Sequence, residues 1–248
     1  MLSRRQNFLA TLRKEPHDYM PAAFVIDNMN YPGSLPKDVF DVARCFDIKH
    51  SIQFQLRLGL DVLFRLSPNG IREIATGDFW RNDPAGGRIC QTPVGILHSD
   101  ATAAPGAPML ISGREVLLKT PEDYDTLAWL FEHHRYEIDE SAIAECQRQL
   151  DLIGDEGILY VNPPASAIMD AVRSWAGIQE FVFTLYDFPE KVENLLAIVT
   201  ERYCEQYELI SRTTPAEVLV FWDDATTSLL SRDMFIKYSL PNLKRYAD

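Results

Sequence analysis

Basic clusters are missing from this sequence. Lysine and arginine number 24 against 36 aspartates and glutamates, for a formal net charge of −12. That balance argues against nucleic acid or an anionic membrane surface as a partner. Paired cysteines are missing too. Cys45, Cys90, Cys146 and Cys204 stand far apart, and none is spaced from another Cys or a His as in a local zinc knuckle. They read as buried or half-buried thiols in a reducing, cytoplasmic setting. No apolar run is long enough to span a bilayer. The opening, MLSRRQNFLATLRK, is too polar for a secretory signal. No internal repeat is evident. A Gly-rich phosphate turn is also lacking: the segment after the first strand reads DNMNYPG, which excludes the usual dinucleotide fingerprint.

What is present suffices for one large domain. The 248 residues are 46% hydrophobic and 11% aromatic. Ser3 to Lys14 predicts a helix, with Ser3 and Gln6 in a capping-box pattern. Strand patterns occur at 21–26, 61–66, 158–161 and 218–222, separated by helical patterns. The clearest helix starts near Pro189, where Val192, Leu195, Leu196, Val199, Tyr203 and Ile210 form one apolar stripe. From 70 to 119 the rhythm breaks into short runs punctuated by Gly and Pro, which predicts an antiparallel insert. Whether it lids the site or closes the bottom of the main architecture is open at this level.

Strands alternating with helices imply a parallel sheet under helical cover. In such folds ligands sit at the C-terminal strand ends. The strands here end on polar residues: Asn28, Arg65, Asn162 and the pair Asp223–Asp224. An adjacent acidic pair needs something to share its charge, such as a cation, a proton or a substrate donor. Asp223 and Asp224 are therefore the catalytic candidates, and Asn28, Arg65 and Asn162 the substrate-binding ones. No metal ligand is assigned. Because Trp is hard to fit in a crowded barrel interior, Trp222 is expected to pack outward and Asp223 to point inward. Adjacent His133 and His134 read as surface or helix-end residues.

Several segments resemble one family in the right order. RQNFLATLRKEPHDYMP resembles the opening of uroporphyrinogen decarboxylase-like proteins. KTPEDYDTLAWL is similar to a helix start of that family, and VNPPASAIMDAVRSWAGIQEFVFTLYDFPEKVENLLAIVTE to its central helical region. FWDDATTSLLSRDMFIKYSLPNLKRYAD is similar to its strand–acidic–loop–helix signature. The resemblance implies a (β/α)8 TIM barrel over 1–248, one domain with the 70–119 insert inside it. Four visible strands are half of such a barrel, so the chain is expected to be its N-terminal half and incomplete at the C-terminus.

The family divides into porphyrin decarboxylases and methyltransferases that work with corrinoid proteins or coenzyme M. The decarboxylases carry an arginine motif reading like RQAGR that holds propionates. Here the corresponding place reads DNMNYPGSLP, without arginine. The resemblance therefore implies first a methyltransferase that moves a methyl group from a small substrate to a corrinoid or thiol acceptor. A corrinoid protein is then an expected partner. No cofactor is expected within this segment, and zinc, on His-x-Cys and Cys ligands, only in a longer form. Uroporphyrinogen decarboxylase is the alternative, and a non-catalytic binding scaffold the third reading.

Overall fold

The computed structural model describes residues 1–23, 48–66, 69–74, 79–84, 87–104, 107–223 and 225–248, apart from the side chains of 50 and 101–114. Asn28, Cys45, Asp224 and most of the expected 21–26 strand lie outside the described residues.

Local signals act as read at several helix starts. Helix α1 (Arg4–Leu12) opens on Ser3, whose side chain accepts from the Gln6 amide while the Gln6 side chain accepts from the Ser3 amide. Helix α2 (Ile48–Arg57) leads into strand β1 (Val62–Arg65). The broken stretch then forms β2 (Ile71–Ile74), β3 (Trp80–Asn82), β4 (Arg88–Gln91), β5 (Ile96–Ala104) and β6 (Ala107–Glu115). Helix α3 (Pro121–His133) starts at Thr120 in a capping box with Asp123, and Pro occupies its first position. Strand β7 (Arg135–Ile138) and helix α4 (Glu140–Ile153) come next, the latter capped by Asp139.

The second half contains β8 (Gly157–Val161), α5 (Ala167–Asp170), α6 (Ile178–Asp187), α7 (Pro189–Thr213), β9 (Val218–Leu219), α8 (Arg232–Met234) and α9 (Leu240–Ala247). Helix α5 continues through a π turn at Ala171–Trp175, and α8 through another at Phe235–Ser239. Every residue of the α7 stripe read from the sequence is buried. Among the described residues, no helix is long and apolar enough to cross a membrane.

The fold is mixed α/β. Strands β1, β8 and β9 pair in parallel, with β8 central. Strands β3, β4, β5 and β6 form an antiparallel meander, as the turn residues predicted. One part of the insert behaves differently. Strand β2 leaves the meander and pairs antiparallel with β7, beyond residue 119. The short RYEI run between two helices carried too little pattern to be read as a strand. Its pairing is set by partners distant in sequence, among them the ion pair of Arg72 with Glu137.

The parallel sheet has two distinct faces. Register puts Phe64 beside Leu159, and Val161 beside Leu219. These residues pack with Ile48, Cys146, Ile153 and Ile210 from α2, α4 and α7. The other face carries Arg65, Tyr160 and Val218, which are register partners. All five residues of β8 are buried, as a central strand covered on both sides requires.

Gly157 is the tightest point of this sheet. A Cβ there would meet the Val62 carbonyl oxygen at 1.9 Å and its Cβ at 2.5 Å. The closest contact is backbone, so the β1–β8 spacing would have to open. Gly157→Ala is expected to cost about 1–3 kcal/mol by overpacking. A urea midpoint equal to that of the parent chain would show that the two strands separate freely.

Candidate functional site

Beyond β1 and β8, at their C-terminal ends, lies a cleft of 590 Å³. Arg65 reaches it from the last position of β1, and Asn162 from just past β8. Alternation explains both: Asn162 is two residues beyond Tyr160, which is in register with Arg65. Asp170 and Arg173 enter from α5 and its π turn, Tyr203 and Gln206 from α7, and Trp222 from the chain beyond β9. Two of the residues expected at the site, Arg65 and Asn162, are thus brought together.

The acidic pair behaves otherwise. Alternation from Val218, in register with Tyr160, carries Trp222 to the cleft face, where it is 44% exposed. Leu219 and Phe221 turn to the helices. The Phe221 ring meets Tyr207 of α7 edge-on, with centroids 6.3 Å apart. Asp223 shares their face. Its Oδ1 accepts from the Ser166 hydroxyl at 3.0 Å, and its Oδ2 from the Ser239 hydroxyl. The expectation of Trp222 outward and Asp223 inward is therefore reversed. The cleft is open enough to leave an indole partly solvated, while two buried serines provide Asp223 with donors. Asp224 lies outside the described residues.

Ser166 is the N-cap of α5, yet its hydroxyl caps no amide of its own helix and donates to Asp223 instead. Ser239 belongs to the second π turn. One carboxylate thus joins the end of the parallel sheet to two helices that carry π turns. The turn after β8 is tied separately, by the Tyr207 hydroxyl donating to the Pro164 carbonyl at 2.6 Å.

Asp170 and Tyr203 are among the site residues that sequence reading missed. Burial pushes the Asp170 carboxyl above the usual carboxylate range, and the negative charge of Asp223 adds to this. The Tyr203 hydroxyl and Arg173 pull the other way. Tyr203 donates to Asp170 Oδ2 at 2.5 Å. Tyr203 is itself buried, which raises its phenol well above the ordinary range and keeps it a donor. A signal existed in the sequence: Asp170 is an acidic residue in an otherwise apolar run, AIMDAV, just past a strand end. Tyr203 gave none, because it lies on the apolar stripe of α7.

The two histidines separate. His133 is exposed and stacks on Trp129. His134 stands at the end of α3, as its C-cap, and is buried rather than at the surface, with Nε2 3.3 Å from Glu73 and Nδ1 3.3 Å from the Tyr136 hydroxyl. Burial lowers its affinity for a proton. The β2–β7 pairing covers it, and sequence reading had no access to that pairing.

No family model and no curated protein sequence matches this chain. Among solved structures, a methyltransferase from Methanosarcina mazei is similar, with a TM-score of 0.50 and 15% identity. The match covers 100% of this chain and 67% of that one. At this identity the likeness is one of fold.

The site makes two outcomes measurable. Asp170 gains affinity for its proton on folding, so the native state holds more protons than the unfolded one between the two pKa values. Stability therefore falls as pH rises from the ordinary carboxylate range through the raised value. Asp170→Asn removes that dependence, and is expected to be as stable as the parent below pH ~4 and more stable at neutral pH. Thermal melts across this range that show the variant weaker at neutral pH would refute the assignment. For the acidic strut, Ser239→Ala should cost about 1–3 kcal/mol, since it takes one charged hydrogen bond from a partly buried carboxylate. An unchanged denaturation midpoint would mean that the bond contributes nothing.

Proposed function

We propose that this chain is a methyltransferase of the uroporphyrinogen decarboxylase-like type. It moves a methyl group from a small methylated compound to a thiolate or a cobalt(I) corrinoid, the latter presented by a partner protein. The observation that carries the reading is the cleft at the ends of the parallel strands, with Arg65 and Asn162 converging in it. The sequence motifs and the fold likeness to a methyltransferase support it by analogy. A tetrapyrrole with eight carboxylates would need more cations than the two arginines that line this cleft among the described residues. We extend the reading to the whole fold and propose that the parallel strands belong to a (β/α)8 barrel.

In this reading the protein supplies orientation more than acid–base chemistry. Arg65 holds a polar end of the donor through its planar fork of N–H groups. Asn162 fixes a second point beside it, and Trp222 and Pro163 shield the methyl carbon from water. The acceptor's electron pair forms the new bond to carbon as the bond to the donor heteroatom breaks, and the pair of the broken bond leaves with the heteroatom. Most of the rate gain then comes from alignment within a near-attack geometry. Asp223 acts through others, by holding the strand end that carries Trp222. It is a positioning residue, and Asp224 is proposed as its companion. No group of three or more His, Cys, Asp or Glu among the described residues could hold a metal ion.

The direct test supplies reduced cobalamin and a panel of methylated amines, ethers and sulfonium compounds, and monitors methylcobalamin by its absorbance. Turnover of at least one donor is expected. Arg65→Met and Asn162→Ala should each lower kcat/KM by about 100-fold with the fold intact by circular dichroism. If no donor methylates cobalamin or a thiol, the methyl-transfer reading is wrong. If the two variants keep parent rates, the cleft is not the site.

A further inference from the structure

Helix α6 keeps only Phe181 fully buried. Ile178, Val182, Phe183 and Tyr186 stand exposed on it, and Phe188 joins them at its C-terminal end. Phe183 and Tyr186 leave 57% and 86% of their surface to solvent. Ile178, Val182 and Tyr186 follow each other at helical spacing, with Phe183 beside them, so they share one face. Single apolar side chains on a surface are ordinary, whereas a contiguous apolar face marks an interaction site.

Charge limits what fits this face. Glu180 and Asp187 lie three residues before and four after Phe183, so both border it. The segment IQEFVFTLYD contains no lysine or arginine. Lys191, the next base along the chain, pairs with Asp125. A second copy would bring the same carboxylates and no base on α6, and an anionic membrane would be repelled. Position adds a third constraint. Arg173, which lines the cleft, stands five residues before Ile178, so the face begins within about 18 Å of the cleft wall.

From these three features we infer that the outer face of α6 docks a separate protein, the carrier of the methyl acceptor, through an apolar surface bordered by lysine or arginine. Seated there, the partner lies beside the cleft to which its acceptor must be delivered. The inference rests on the methyl-transfer reading for what the partner carries, though not for docking.

Three labelled synthetic peptides test it by fluorescence anisotropy against the unmodified chain. One is an amphipathic helix of leucine flanked by lysine, the second has glutamate for lysine, and the third scrambles the first so that its apolar face is lost. The lysine helix should bind about tenfold more tightly than either of the others. Phe183→Ser and Tyr186→Ser should each weaken it by about tenfold. Methyl transfer to free cobalamin should not change in either variant, since neither side chain lines the cleft. Equal binding of the glutamate helix or of the scrambled peptide would overturn the inference, as would no binding at all. A parent chain that sediments as a dimer, with Phe183→Ser a monomer, would assign the face to a second copy. Binding to phosphatidylglycerol vesicles that is lost in the same variant would assign it to a membrane. Either result overturns the inference. The peptide comparison uses the parent chain, so it stands even if a variant fails to fold. Selective binding of the lysine helix without methyl transfer to any acceptor would sink the methyl-transfer reading and leave the docking face intact.

Discussion

The constraint on which the rest depends is the complete burial of β8. A strand hidden on both faces cannot turn its amides and carbonyls to water, so they must be paired in the sheet. Strands β1 and β9 do that, and the Leu66 and Val220 amides prolong the pairing onto the Tyr160 and Val161 carbonyls. Parallel register then dictates which side chains share a face. Arg65, Tyr160 and Val218 are neighbours because the backbone makes them so, and Asn162 and Trp222 inherit that face by alternation. The cleft is a consequence of this register.

A second constraint is electrostatic. Asp223 and Asp170 are near enough for each other's charge to matter, since Asp223 raises the affinity of Asp170 for its proton. The structure handles the two carboxyls differently. Asp223 takes two serine hydroxyls from different helices, whereas Asp170 takes one phenol and opens to the cleft.

The π turns fit the same scheme. One carries Arg173 into the cleft, and the other carries Ser239 to Asp223. An extra residue in a helical turn rotates the side chains after it onto a different face, and such turns recur at functional sites. Their sequences, AVRSW and FIKYS, look like ordinary helix. Only the packing partners select the wider turn.

The sequence by itself determined the helix starts at Ser3 and Thr120, the buried stripe of α7 and the antiparallel character of the insert. It also determined the polar strand ends at Arg65 and Asn162. These rest on local chemistry: caps bind amides three residues away, and an apolar period needs no partner to be read. The tertiary structure decided the rest. The β2–β7 pairing joins segments more than sixty residues apart, and the burial of His134 depends on it. The exchange of roles between Trp222 and Asp223 turned on two serines, Ser166 and Ser239, that nothing near residue 223 announces. Tyr203 became a site residue because α7 crosses behind the cleft, although its spacing marked it as core. Where a side chain's environment is built by elements distant in sequence, its own neighbours in the chain carry no record of which face it will find.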